Sequence, residues 1–150
     1  MKRLIPFCIA LLLLAPLTAF ASLDDFLNSV NVQARVDLPG FSAKISTQFG
    51  VPVAQVQMVL QSVPQPADAF MVFQLGQFAR VPSERVMEVY KPNKKKGWGA
   101  IAKELGIKPG SAEFHALKSG DLHFTGAPAG GEGSSPGKGK GKGKGKGHNK

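Results

Sequence analysis

The side chains with the most evident chemistry are cations at regular spacing. From 137 to 147 glycine and lysine alternate, setting Lys138, Lys140, Lys142, Lys144 and Lys146 two residues apart, with Lys150 beyond them. Such a segment has nothing apolar to bury and its charges repel one another, so it is expected to remain a solvated, disordered tether. Its chemistry is multivalent neutralisation of anions, since glycine spacers leave each ammonium free to find its own partner. A second concentration is Lys91-Pro92-Asn93-Lys94-Lys95-Lys96-Gly97-Trp98-Gly99. Unpaired amides at a helix start attract anions, glycines allow close approach to the backbone, and an exposed Trp98 ring would stack on a base or a sugar face. Lys94, Lys95, Lys96, Gly97, Trp98 and Gly99 therefore join the tail lysines as candidate anion-binding residues. The competing reading is a solvated lysine loop, with Trp98 in phase with Ile101 and Leu105 as a core anchor. The run is not a P-loop, because it lacks the Gly-Lys-Ser/Thr ending.

Other chemistry is sparse. His115, Asp121 and His123 include metal-ligating types, but they straddle a Ser119-Gly120 break and match no zinc spacing. Ser83 and Ser111 stand where helix caps belong, and a nucleophilic serine needs a positioned base that no motif supplies. Glu84 and Glu88 lie one turn apart, as many solvated carboxylates do. Cys8 is the single cysteine. No catalytic residue, metal or cofactor is assigned.

Composition divides the chain into three. Lys2 and Arg3, an apolar stretch over 4–17 broken by Pro6 and Pro16, and Ala19-Phe20-Ala21 have the three parts of a secretory signal, so 1–21 is expected to be removed. Residues 22–125 are long enough for one domain with its own core, and without a cysteine that core must hold by packing alone. This segment carries 11 Lys and Arg against nine Asp and Glu, whereas 126–150 carries six lysines and only Glu132. The high overall basicity thus belongs to an appendage on a nearly neutral domain.

Helical periodicity fills 22–125. Ser22 is placed to cap a helix bearing Leu23, Phe26, Leu27, Val30 and Ala34, and Asp37 to cap a second bearing Phe41, Ile45 and Phe49 until Gly50. Pro52 opens a third, ended by Pro64 and Pro66. The stretch 67–79 is apolar almost throughout and predicts the central helix, with Gln74 and Gln77 as its polar stripe. Ser83 is expected to cap a fifth, and two short helices follow around Trp98 and Phe114, the latter after the turn Lys108-Pro109-Gly110-Ser111. The expected fold is all-α, a bundle of six or seven short helices with a disordered C-terminal tail. Val51-Pro52, Val56 and Val59 recur as Val81-Pro82, Val86 and Val89 at an offset of 30. Stacked αα-hairpins would produce this, and so would any series of helices joined at proline.

The string Gly97-Trp98-Gly99-Ala100-Ile101-Ala102-Lys103-Glu104-Leu105-Gly106-Ile107-Lys108-Pro109-Gly110-Ser111, with Glu113-Phe114-His115-Ala116-Leu117-Lys118, resembles a segment of small exported bacterial proteins of unassigned function. It departs from them at Lys95-Lys96, where a Lys-Gly alternation is expected. The resemblance implies export and a Gly/Lys-rich end, and it transfers no catalytic or ligand residue. The expected function is that of a periplasmic or secreted, non-catalytic, envelope-associated binding protein, its cationic tail contacting an anionic envelope component, a polysaccharide or extracellular nucleic acid. Two alternatives are a small hydrolase or metal-dependent enzyme around His115, Asp121 and His123, and a helix-turn-helix reader of DNA with Gly106 in its turn.

Overall fold

A computed structural model of the chain describes residues 22–125. The expected leader over 1–21 and the Gly/Lys segment over 126–150, with Lys138, Lys140, Lys142, Lys144, Lys146 and Lys150, lie outside the described residues. Seven α-helices follow one another: α1 Leu23–Val36, α2 Leu38–Phe49, α3 Val53–Ser62, α4 Pro66–Ala79, α5 Ser83–Asn93, α6 Trp98–Glu104 and α7 Ala112–Ser119, with a 3₁₀ turn Lys94–Lys96 between α5 and α6. No strand occurs among the described residues.

Local chemistry sets most of these boundaries. Ser22 Oγ accepts from the Asp25 amide at 3.2 Å while the Asp25 carboxylate accepts from the Ser22 amide at 3.2 Å, a reciprocal capping box at the start of α1. Asp37 Oδ1 accepts from the Gly40 amide at 2.9 Å, and Ser111 Oγ from the Phe114 amide at 3.2 Å. Two boundaries differ from the sequence reading. Ser83 is the first residue of α5 and makes no cap bond; Pro82 precedes the helix in an extended conformation, and the Ser83 hydroxyl accepts from Gln55 Nε2 at 2.8 Å. Pro66 opens α4 instead of closing α3, a position where its missing N–H costs no intrahelical bond.

The repeat at offset 30 is a repeated turn. The Val51 amide donates to Ser46 O at 3.1 Å and the Val81 amide to Gly76 O at 2.9 Å, each after a left-handed residue, Gly50 or Arg80, and before an extended proline. This is the Schellman closure, followed by a proline that starts the next helix. It joins α2 to α3 and α4 to α5 as two packed αα-hairpins. The copies differ where the turn folds back. Ser46 Oγ donates to Val51 O at 2.6 Å, whereas a Cβ at Gly76 would stand 2.9 Å from Val81 O.

α4 packs against α1, α2, α3 and α5, which is why its sequence is apolar on every side. Phe70, Met71, Val72 and Leu75 are fully buried, and Gln74, expected on a polar stripe, is buried too, with its amide 3.4 Å from Gln77 Oε1. Phe70 is the hub of the aromatic core, meeting Phe26, Phe49 and Phe124 with ring centroids 5.3, 5.6 and 5.7 Å away. The segment after α7 is part of this core. Leu122 is buried, and Gln48 fixes the backbone there, donating to His123 O at 2.7 Å and accepting from the Thr125 amide at 3.2 Å. Among the described residues no helix is long and apolar enough to cross a membrane.

Candidate functional site

The lysine run is held at the junction of α5 and α6. α5 continues through Pro92, so the run begins inside a helix and only Lys94–Lys96 leave it, as a 3₁₀ turn. Proline is tolerated there because the helix ends one residue later and only the Glu88 carbonyl loses its amide partner. Asn93, which is buried, fastens the turn: its Nδ2 donates to Val89 O at 2.9 Å and to Glu104 Oε2 at 2.8 Å. The other Glu104 oxygen lies 3.9 Å from Lys96 Nζ. Lys96 thus lies near a carboxylate at the C-terminal end of α6. Lys94 and Lys95 are exposed, and among the described residues neither is ion-paired.

Gly97 precedes α6 with φ +85°, and Gly99 lies in the first turn. α6 has only seven residues, so its aligned peptide dipoles are few, and the two free lysines are the stronger cationic element. Trp98 is partly buried and stacks on Tyr90 with centroids 5.1 Å apart and planes at 18°. The two sequence readings of Trp98 are thus combined, since one face of the ring packs on Tyr90 while the side chain still lines a surface depression.

That depression, about 260 Å³, lies between the start of α4, the end of α5, the 3₁₀ turn and α6, and Lys94, Lys95, Tyr90, Trp98 and Asp68 line it. Asp68 is the third residue of α4 and that helix's sole charged residue. The Tyr90 hydroxyl donates to Asp68 Oδ2 at 3.4 Å. Burial pushes the Asp68 carboxyl above its ordinary value, against the opposing hydrogen bonds from the Gln65 backbone and the Tyr90 hydroxyl. Burial, then the neighbouring Asp68 charge and hydrogen bond, push the Tyr90 phenol up to about 12.

The remaining candidates do not converge. His115, Asp121 and His123 are all exposed, and no cluster of three metal-ligating side chains occurs among the described residues. Ser111 is engaged as the cap of α7 and Ser83 by Gln55, while Glu88 pairs with Arg85 at 3.0 Å and Glu84 accepts from Gln55 at 3.0 Å. α6 and α7 pack as a tandem pair, with Leu117 buried and Phe114 partly buried; the exposed side of α7 carries Glu113, His115 and Lys118, which is not a basic face.

Asp68 and Asn93 were not singled out by residue type alone. For Asp68 the available signal was a lone charge at the start of an otherwise apolar helix. The fold and site define a small all-helical domain with a cationic turn beside an aromatic hollow. Comparison with protein-family models, with curated proteins and with solved structures gives no match for this chain.

Proposed function

We propose that this is an exported, non-catalytic binding protein that attaches to anionic polymers or surfaces of the cell envelope through its lysines. The observation that carries the reading is the segregation of charge. The segment 22–125 has 11 basic against nine acidic residues, while 126–150 has six lysines against one glutamate. On the domain Lys94 and Lys95, without an ion-pair partner among the described residues, line one hollow together, and so add a short-range contact to the long-range attraction of the tail lysines. The secretory pattern of 1–21 and the resemblance to small exported bacterial proteins both support an encounter outside the cytoplasm. The exposed, separated positions of His115, Asp121 and His123 favour binding over metal-assisted hydrolysis.

The test compares the protein with a truncation after Thr125 for binding to anionic vesicles, lipopolysaccharide and nucleic acid over a salt series. Loss of most binding on truncation, with the remainder weakened by salt, is the expected outcome. Equal and salt-insensitive binding by both forms would sink the reading.

A further inference from the structure

We propose that the depression between α4, α5 and α6 is a binding site for a single acidic sugar ring, a pyranose uronate within an anionic polysaccharide. The proposal rests on the reading of the protein as a binder of anionic polymers and names the unit that the domain itself recognises. Three kinds of group meet there. Trp98, backed by Tyr90 at 5.1 Å, supplies a rigid flat surface for the C–H face of a pyranose. Lys94 and Lys95, exposed and without ion-pair partners among the described residues, are the counterions for one carboxylate. Asp68, with the Tyr90 hydroxyl on one of its oxygens, presents an acceptor to the ring hydroxyls. A hollow of about 260 Å³ takes one six-membered ring and its substituents, not a track of successive units.

Size and composition argue against a nucleic-acid strand as occupant. Sequence-tolerant strand binding uses several aromatic platforms along a groove. Trp98 and Tyr90 are the aromatic residues that line this hollow, and they are stacked on each other, so they offer one platform. Asp68 sets a carboxylate into the lining, where it would oppose a run of phosphates but suits a ring that has an anionic group on one side and hydroxyls on the other.

The single tryptophan makes the site its own reporter. The protein is titrated with trigalacturonate, with its methyl ester, which has the same rings without the charge, and with a thymidine trinucleotide, following Trp98 emission. The expected result is a saturable emission change with trigalacturonate, an affinity at least about tenfold lower for the ester, and a similar loss in K94A/K95A, as removal of charge-assisted hydrogen bonds implies. D68N weakens binding of the acidic trimer without changing its preference over the ester. Both sets of positions lie at the surface or on its margin, and circular dichroism verifies that the variants remain folded. A full-length variant with the six tail lysines replaced by serine keeps the trigalacturonate response, which separates this site from the tether. Equal affinity for trimer and ester, tighter binding of the trinucleotide, or no saturable change with trigalacturonate would each overturn the assignment, whatever the tail is found to do.

Discussion

Gly120 is where the two ends of the described chain meet, and replacing it with alanine tests that junction. The residue ends α7 at φ +71°, and a Cβ built there would stand 2.7 Å from Ser22 O, 2.8 Å from Ser22 C and 2.9 Å from the Leu23 amide nitrogen. These are backbone atoms of the capping box of α1, so no side chain can swing aside. Two costs add. Holding alanine in the left-handed region costs ~1–2 kcal/mol, less ~0.4–1 kcal/mol recovered because alanine restricts the unfolded chain. Forcing the first turn of α1 outward adds ~1–3 kcal/mol, as overpacking does. Gly106 is the internal control, since it has φ +86° with nothing within 4 Å of the added methyl. G106A should therefore cost about 1 kcal/mol and G120A ~2–4 kcal/mol. For a domain of roughly 100 residues this is ~5 °C of Tm for G106A and ~10–25 °C for G120A. Differential scanning calorimetry of both variants gives the answer. Equal shifts would show that α7 does not abut Ser22, and would refute the placement of the last helix against the first.

Further predictions concern the core and the hollow. F70A removes the ring that joins Phe26, Phe49 and Phe124, and should cost ~3–5 kcal/mol in a urea titration, most of the stability of a small domain. R80G relieves the one non-glycine residue at positive φ among those described, at 56°, and should raise stability by ~0.5–1 kcal/mol in the same assay. The single tyrosine should titrate at about 12 by phenolate absorbance, and D68N should move it back toward 10.0 by removing the neighbouring charge. Because the folded chain keeps this proton where the unfolded chain has lost it, stability should fall from pH 10 to about 12. The Asp68 carboxyl follows the same sign at low pH. Its contribution is complete below its ordinary value of 3.8 and is lost as pH rises through the raised one, so D68N should lose the stability that the Asp68 side chain adds on acidification and should unfold more readily than the parent at low pH.

The helices were legible because each carries its own punctuation. Ser22, Asp37 and Ser111 act as caps, Gly50 ends α2, and the two Val-Pro pairs reappear as one repeated turn. Local pattern is silent where a residue's role is set from far along the chain. Ser83 has the composition of a cap, yet its hydroxyl is taken by Gln55, 28 residues earlier, so the local pattern did not decide its partner. The lysine-rich run was open to a loop reading, but its first residues, Pro92 included, lie in the last turn of α5. The candidate site was half visible. Lys94, Lys95 and Trp98 were selected by type and spacing, whereas Asp68 reaches them only because α4 packs on α5 and brings it to Tyr90, 22 residues away. Likewise, nothing local in Gln48 announces that it holds the backbone at His123 and Thr125.

Under the function proposed above, the lysines beyond Thr125 bind anionic polymer by charge neutralisation. The most direct measurement is the slope of log affinity against log salt for a single-stranded polyanion, in the whole protein and in the form ending at Thr125. With all six tail lysines engaged the tail contributes a slope of about 4, so the whole protein should show at least that value and the shortened form should lose most of it. Identical slopes for the two forms, or a whole-protein slope near zero, would contradict the claim.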